Sequence, residues 1–324
     1  MRLASLLLSG LVVLAGCGGA SRPVLQLDTA GGQQIAFASK SDGDWEKSDG
    51  DWEIFTMRPD GSQLRRLTNN GAYDWAPTWS TDGSRIAFTS NFLEGKTQRV
   101  KSEVNGKEVW TEIEVVGDQE IWLFDLAGWD SEPITDNSIA LEGGTAWSPD
   151  GSRIAFHSDL DESGVFEIYS MKPNGTDQLK LTDLGGTSWD PSWSPDGQHI
   201  VFASLSGIWG MYIVGADGTG LRSLESAGEG WKPSWSPSGD QIAFASNRDG
   251  NWNLYVMEPD GTNVVNITHN EGNSSEPTWS PTGDQIAFAS DRGGKMEIFI
   301  MDADGDNVFA TGQSGFPSDW VDIP

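Results

Sequence analysis

One pentapeptide, with small changes, is written six times along the chain. It reads IAFAS from Ile35, IAFTS from Ile86, IAFHS from Ile154, IVFAS from Ile200, and IAFAS again from Ile242 and Ile286. A phrase that returns at such intervals restricts the fold more than any composition does, because each unit must bury its apolar face against the next copy. Every copy but the first follows a turn phrase: WSTDGSR, WSPDGSR, WSPDGQH, WSPSGDQ or WSPTGDQ. A second apolar run comes downstream (EIFTM, EIWLFD, EIYSM, GMYIV, NLYVM, EIFIM), then in most copies a Gly turn such as PDG or ADG, then a third run such as LRRLT, QLKLT or VVNIT.

Each unit is therefore four short strands of β-branched and aromatic residues joined by turn chemistry. Within IAFAS the bulky Ile and Phe alternate with small residues, so one sheet face carries bulk and the other admits a close neighbour. The Trp opening each turn phrase recurs at Trp79, Trp147, Trp193, Trp235 and Trp279, and Trp320 near the end is a sixth without a following IAFAS. The first IAFAS correspondingly has no turn phrase before it. The pattern predicts an all-β chain, a six-bladed β-propeller of four-stranded blades, in which the C-terminal strand completes the first blade and removes an open edge.

These phrases resemble the WD-like propeller repeats of the TolB family, found also in the propeller domains of dipeptidyl peptidase IV-type oligopeptidases. The resemblance covers residues 34–322 and implies the propeller architecture, with an envelope protein or peptide as ligand. TolB carries an α/β domain ahead of its propeller and the oligopeptidases carry a hydrolase domain; only a short tether and the propeller are expected here.

The N-terminus reads as an export signal. Arg2 precedes an apolar run from Leu3 to Leu14 that is too short to span a bilayer, and Leu14-Ala15-Gly16-Cys17 resembles a bacterial lipobox. Residues 1–16 are expected to be a lipoprotein signal peptide, 17–33 the lipidated Cys17 and a tether, and 34–324 the propeller. Cys17 would anchor the protein to a bacterial membrane on its extracytoplasmic side; Gly18 after it favours the periplasmic side of an outer membrane where the organism has one. Cys17 is the only cysteine, so no disulfide forms within the chain. With 48 acidic against 20 basic residues and a formal charge of −28, the surface repels phosphate backbones, which excludes nucleic acid as a partner. A monomer is expected.

In a four-stranded blade with strands A to D, the A–B and C–D turns share one face of the ring, and the B–C and D–A connections share the other. The first set is short and uniform; the second varies. Blade 2 has a long B–C connection, residues 91–119, whose alternating residues around Asn105-Gly106 predict an extra hairpin. The B–C connection of blade 1 holds a heptad written twice, KSDGDWEKSDGDWE over residues 40–53. Seven is odd, so a strand absorbing the spare copy would turn its later side chains to the wrong face; one copy must loop out.

The D–A connections add a second set of aromatics, four residues ahead of the core Trp: Trp75, Trp189, Trp231 and Phe316, with Gly143 and Ser275 in the other two blades. Asp190, Lys232 and Glu276 stand beside them. Such rings either pack between blades or form a binding rim at the channel mouth for a protein, peptide or glycan. These seven residues are the candidate ligand site. Catalytic signatures are missing from the text. There is no G-x-S-x-G or H-E-x-x-H, and His157, His199 and His269 occupy unrelated repeat positions. Asp302 to Asn307 superficially suggests a calcium loop, but the same slot in other blades is a C–D turn. The favoured expectation is a non-catalytic binding or scaffolding lipoprotein without cofactor or metal. The alternative is a polysaccharide-acting enzyme using channel carboxylates.

Overall fold

The computed structural model describes residues 32–40, 51–92, 97–104, 107–114, 119–135, 140–161 and 164–323. Residues 1–31, where the signal peptide, lipidated Cys17 and tether are expected, and positions 41–50 of the duplicated stretch lie outside the described residues. Among those described there are six four-stranded antiparallel sheets and one separate two-stranded hairpin, with a single short 3-10 turn and no α-helix. The innermost A strands are Phe316–Ile323, Asp74–Trp79, Glu142–Trp147, Thr187–Trp193, Trp231–Trp235 and Ser274–Trp279, for blades 1 to 6 in turn.

The ring closes as the repeat count requires. Phe316–Ile323 pairs antiparallel with Gly32–Lys40, setting Trp320 opposite Ile35 and Phe316 opposite Ala38. The last residues of the chain thus supply the first blade's inner strand.

The alternation of large and small residues produces the packing between blades. Phe244 and Ile242 of blade 5 share a core with Val201 and Met211 of blade 4. Ala243 and Ala245, on the other face of that strand, lie against Ile286 and Phe288 of blade 6. The same large-on-small contact joins blade 6 to blade 1 through Ala287, Ile35 and Phe37. All six phrase phenylalanines are at most 1 % exposed, each stabilising the fold by roughly 2–3 kcal/mol through burial.

The charged letters of the repeat are structural as well. In EIY…LT the glutamate is buried and the threonine satisfies it. Thr182 Oγ1 donates to Glu167 at 2.5 Å and accepts the Ile168 N–H at 2.9 Å. Thr135, Glu120 and Ile121 repeat the pattern in blade 2. In WSPDG the Asp is the hub of the turn. Asp150 accepts from the Ser148 and Ser152 hydroxyls and the Ser152 N–H, which together hold its carboxyl down to about 2. Asp302–Asn307 is likewise a closed turn, with the Gly305 N–H on the Asp302 carbonyl at 2.9 Å.

Both irregular B–C connections stand where the sequence places them. Thr97–Val104 pairs with Lys107–Glu114, with Val104 opposite Lys107, the register expected for the hairpin; the predicted turn at 105–106 lies outside the described residues. In blade 1, Lys40 pairs with Trp52, and strand C runs Trp52–Met57. The second copy of the heptad therefore delivers Trp52 and Glu53 to the sheet.

Candidate functional site

The core Trp and the rim residue four places earlier lie on one A strand, and the strand is irregular between them. In blades 2 to 6 the pairing register shifts there, for instance between Trp189 and Ser192 and between Trp231 and Ser234. The residue after the rim position has positive φ in each: Ala76 at 51°, Gly144 at 60°, Asp190 at 54°, Lys232 at 51° and Glu276 at 53°. This is a β-bulge, which re-aims one side chain per blade away from the sheet faces. A left-handed conformation costs a non-glycine residue about 1–2 kcal/mol, yet four blades carry one. The side chains so turned line the central channel, a cavity of about 330 Å³.

Three consecutive blades fill that position with charge. Lys232 Nζ lies 2.9 Å from Asp190 Oδ1 and 3.4 Å from Glu276 Oε2. Protein atoms surround the ammonium, but 34 % of the side chain stays open to the channel, so the pairs are partly screened by water. Burial opposes the charge on Lys232, and the two carboxylates outweigh it, holding its pKa above the ordinary lysine value. Burial raises the pKa of Glu276, with Lys232 pulling it down and Asp190 pushing it up. Deeper on the closing strand, Asp319 accepts the Trp79 N–H at 2.7 Å and the Trp320 N–H at 2.8 Å; burial pushes it up to about 6.

The predicted aromatics divide into two groups. Trp189 and Trp231 enclose Trp209, whose ring lies 5.1 Å from the first and 3.8 Å from the second, centroid to centroid. Trp252 meets Trp231 edge-on at 6.3 Å, and Phe166 continues the cluster on the other side at 6.0 Å from Trp189. Trp189 and Trp231 thus turn their faces to protein. This is the packing alternative.

Across the mouth, Trp75 and Phe316 belong to a second pocket of about 290 Å³, with Trp52, Tyr73, Lys232 and Glu276 in its lining. Trp52 stacks on Phe316 at 5.6 Å, and Tyr73 is 40 % exposed. Four of the seven predicted residues, Trp75, Phe316, Lys232 and Glu276, therefore meet in one cavity, and Asp190 stands behind them on Lys232.

Sequence reasoning missed Trp209, Tyr73 and Asp319, and it assigned no role to His157. The last has a local explanation. Gly143 faces His157 across the strand pair where other blades set a larger residue against Ala or Thr. A Cβ on Gly144 would come within 2.7 Å of the imidazole. His157 therefore occupies from strand B the space that a rim tryptophan occupies elsewhere, and burial lowers its pKa to about 4. The signal was present: Gly in the aromatic slot and His in the Ala slot change together within one blade.

Comparison with known proteins agrees with this architecture. A family model described as the TolB beta propeller domain, PD40, matches residues 101–230 and 219–316. A TolB homolog of Chlorobium chlorochromatii is 33 % identical over 146 residues, 39 % of this chain and 31 % of the relative. An uncharacterized peptidase of Bacillus subtilis, YuxL, is 32 % identical over 126 residues, 39 % of this chain and 16 % of that protein. The crystal structure of TolB from Acinetobacter baumannii superposes with a TM-score of 0.68 at 20 % identity, over 90 % of this chain and 66 % of that one. The matched segments span about a third or less of the curated relatives' length.

Proposed function

Because the chain belongs to the TolB β-propeller domain family, we propose that it is an extracytoplasmic, lipid-anchored binding protein of the bacterial envelope. It takes part of a partner protein at the B–C/D–A face of the ring. The observation that carries this reading is the mouth pocket, where Trp75, Tyr73, Trp52 and Phe316 stand over a floor of Lys232 and Glu276. Half-buried rings around a concave site with a few convergent polar groups suit an anchoring side chain from a partner. The relatives named TolB support an envelope setting, and the Leu14–Cys17 lipobox supports the anchor.

An enzyme acting on polysaccharide through channel carboxylates is the weaker reading. Paired acids for glycoside chemistry need one free to donate a proton and the other free to attack or activate water. Here Asp190 and Glu276 share Lys232.

The test compares the full chain with Trp75→Ala and with the double variant Trp75→Ala/Phe316→Ala as baits on envelope extract, after thermal melts show both fold. An envelope protein held by the wild type and lost stepwise in the variants supports the mouth as the site. Undiminished capture by the double variant removes the mouth from the proposal and leaves the 91–119 hairpin as the next surface to test.

A further inference from the structure

The charges lining the channel and its mouth do not balance. Among the described residues, four charged side chains belong to the two cavities: Asp190, Glu276 and Asp319 against Lys232. The ammonium is already divided between two of the acids, and Asp319 is held by backbone N–H groups rather than a cation. His157, behind Asp190 and Gly144, is neutral at physiological pH because burial keeps its pKa near 4, so it adds no positive charge. A concave, low-dielectric wall concentrates such an imbalance, and the chain's net −28 adds to it over longer range.

The ring of rims adds a second preference. Aromatic faces attract cations, arginine and lysine above all. This protein already uses that chemistry on its own strands. The Arg248 guanidinium lies 4.5 Å from the Tyr255 ring centroid, and Arg292 lies 5.0 Å from that of Phe288. At the mouth, Trp75 stacks on no other ring among the described residues and borders the same cavity as Glu276.

No three acidic or imidazole side chains among the described residues converge closely enough to hold a metal ion. The missing positive charge is therefore better supplied by an organic cation, whose charge is spread and whose stem is apolar.

Resting on the reading of the mouth as a protein-docking site, we infer that its occupant is a basic side chain, arginine or lysine, on an extended partner segment. The stem lies along Trp75 and the charged end reaches Glu276. Lys232 then sets selectivity. It offsets the repulsion between the two acids and weakens the site for any cation that does not also use the rings.

The experiment pans the full chain against a phage-displayed random heptapeptide library. The selected sequences are then made as synthetic peptides and titrated by calorimetry. Arginine or lysine at one shared position is expected. Replacing that arginine by citrulline, the neutral isostere, should weaken binding at least tenfold and needs no change in the protein. Lys232→Met should tighten the arginine peptide, and Glu276→Gln should weaken it about tenfold. Lowering the pH below 6 should also weaken it, as Asp319, raised to about 6 by burial, takes up its proton. Equal binding of the citrulline peptide, or loss of binding in Lys232→Met with its melting temperature retained, overturns the basic anchor. The docking reading survives that result, because the peptides still bind. Recovery of no peptide that depends on Trp75 overturns both.

Discussion

The two sides of the channel mouth use the same repeat position for opposite purposes. On blades 4 and 5, Trp189 and Trp231 press their faces onto Trp209. Toward blades 1 and 2, Trp75 and Phe316 border an open pocket. The repeat is the same; the neighbouring B–C connections differ. Blade 4 joins its B and C strands by the tight turn at Ser206-Gly207-Ile208, which pushes strand C up to the mouth and delivers Trp209 between the two rims. The B–C connection of blade 1 is longer and leads into Trp52, which stacks on Phe316 at 5.6 Å, while no described ring stacks on Trp75. A rim aromatic becomes packing or cavity wall according to what the next loop brings to it.

That contrast is broken most severely at Trp209. Trp209→Ala removes the ring sandwiched between two others and should destabilise the fold by about 3 kcal/mol, the low end for a deleted tryptophan because the cluster is half exposed. Trp75→Ala should cost under about 1 kcal/mol, because its ring has fewer contacts to lose. Equal losses in paired urea melts would show that the two sides are not different in kind.

Blade 3 offers a second, smaller test. Gly144→Ala drives a methyl into His157 at a positive φ and should cost about 2 kcal/mol. Adding His157→Ala should return part of that loss, the part due to the clash, while the strain at φ remains. A double-mutant cycle with no coupling would show that His157 does not fill the missing rim position.

Proton linkage gives an effect of similar or lesser size. Burial raises Asp74 to about 6, against the Ser90 and Asn70 side chains that hold it, and Asp319 is raised likewise. A raised folded-state pKa makes the ionised carboxyl a liability, so these two acids give a stability slope that rises as pH falls from 7.5 to 5. Buried His157 opposes it, because its pKa of about 4 leaves the unfolded imidazole to take up its proton first. For the fully buried Asp74 the contribution is on the order of 2 kcal/mol. Asp74→Asn should flatten part of this slope. The turn acids Asp82 and Asp150, lowered to about 2, lose their stabilisation only further down, between about 4 and 2, and do not confuse the window. A stability difference between the wild type and Asp74→Asn that stays the same from pH 7.5 to 5 would contradict the assignment.

The smallest change is expected from removing seven residues of the duplicated stretch. Deleting either copy yields the same chain, and Trp45-Glu46 would take the places of Trp52-Glu53 opposite Lys40. Loop-closure entropy predicts a change in stability within about 1 kcal/mol. A large loss would show that both copies are built into the fold.

Much of this was legible in the text. The blade count and the closure by Trp320 follow from repeats, because a repeat states the same local physics six times, and the seven candidate residues were nominated from the rim slot and the position after it. Trp209 was not legible as part of the rim. It sits outside the A strands, and only the packing of blade 4 against blade 5 brings it between Trp189 and Trp231. The Asp190–Lys232–Glu276 bridge was half legible: the residues were identified beside the aromatics, but their turn into the channel depends on a bulge that alternation does not encode.

By itself the sequence determined the strands, their turns and the number of blades, since these depend on contacts within one unit or with an identical neighbour. Only the tertiary structure decided which tryptophans are walls and which are packing, and which carboxylates share the one ammonium. Those outcomes depend on distances between different blades, which the packing of each blade against the next sets through residues some forty positions apart in the chain.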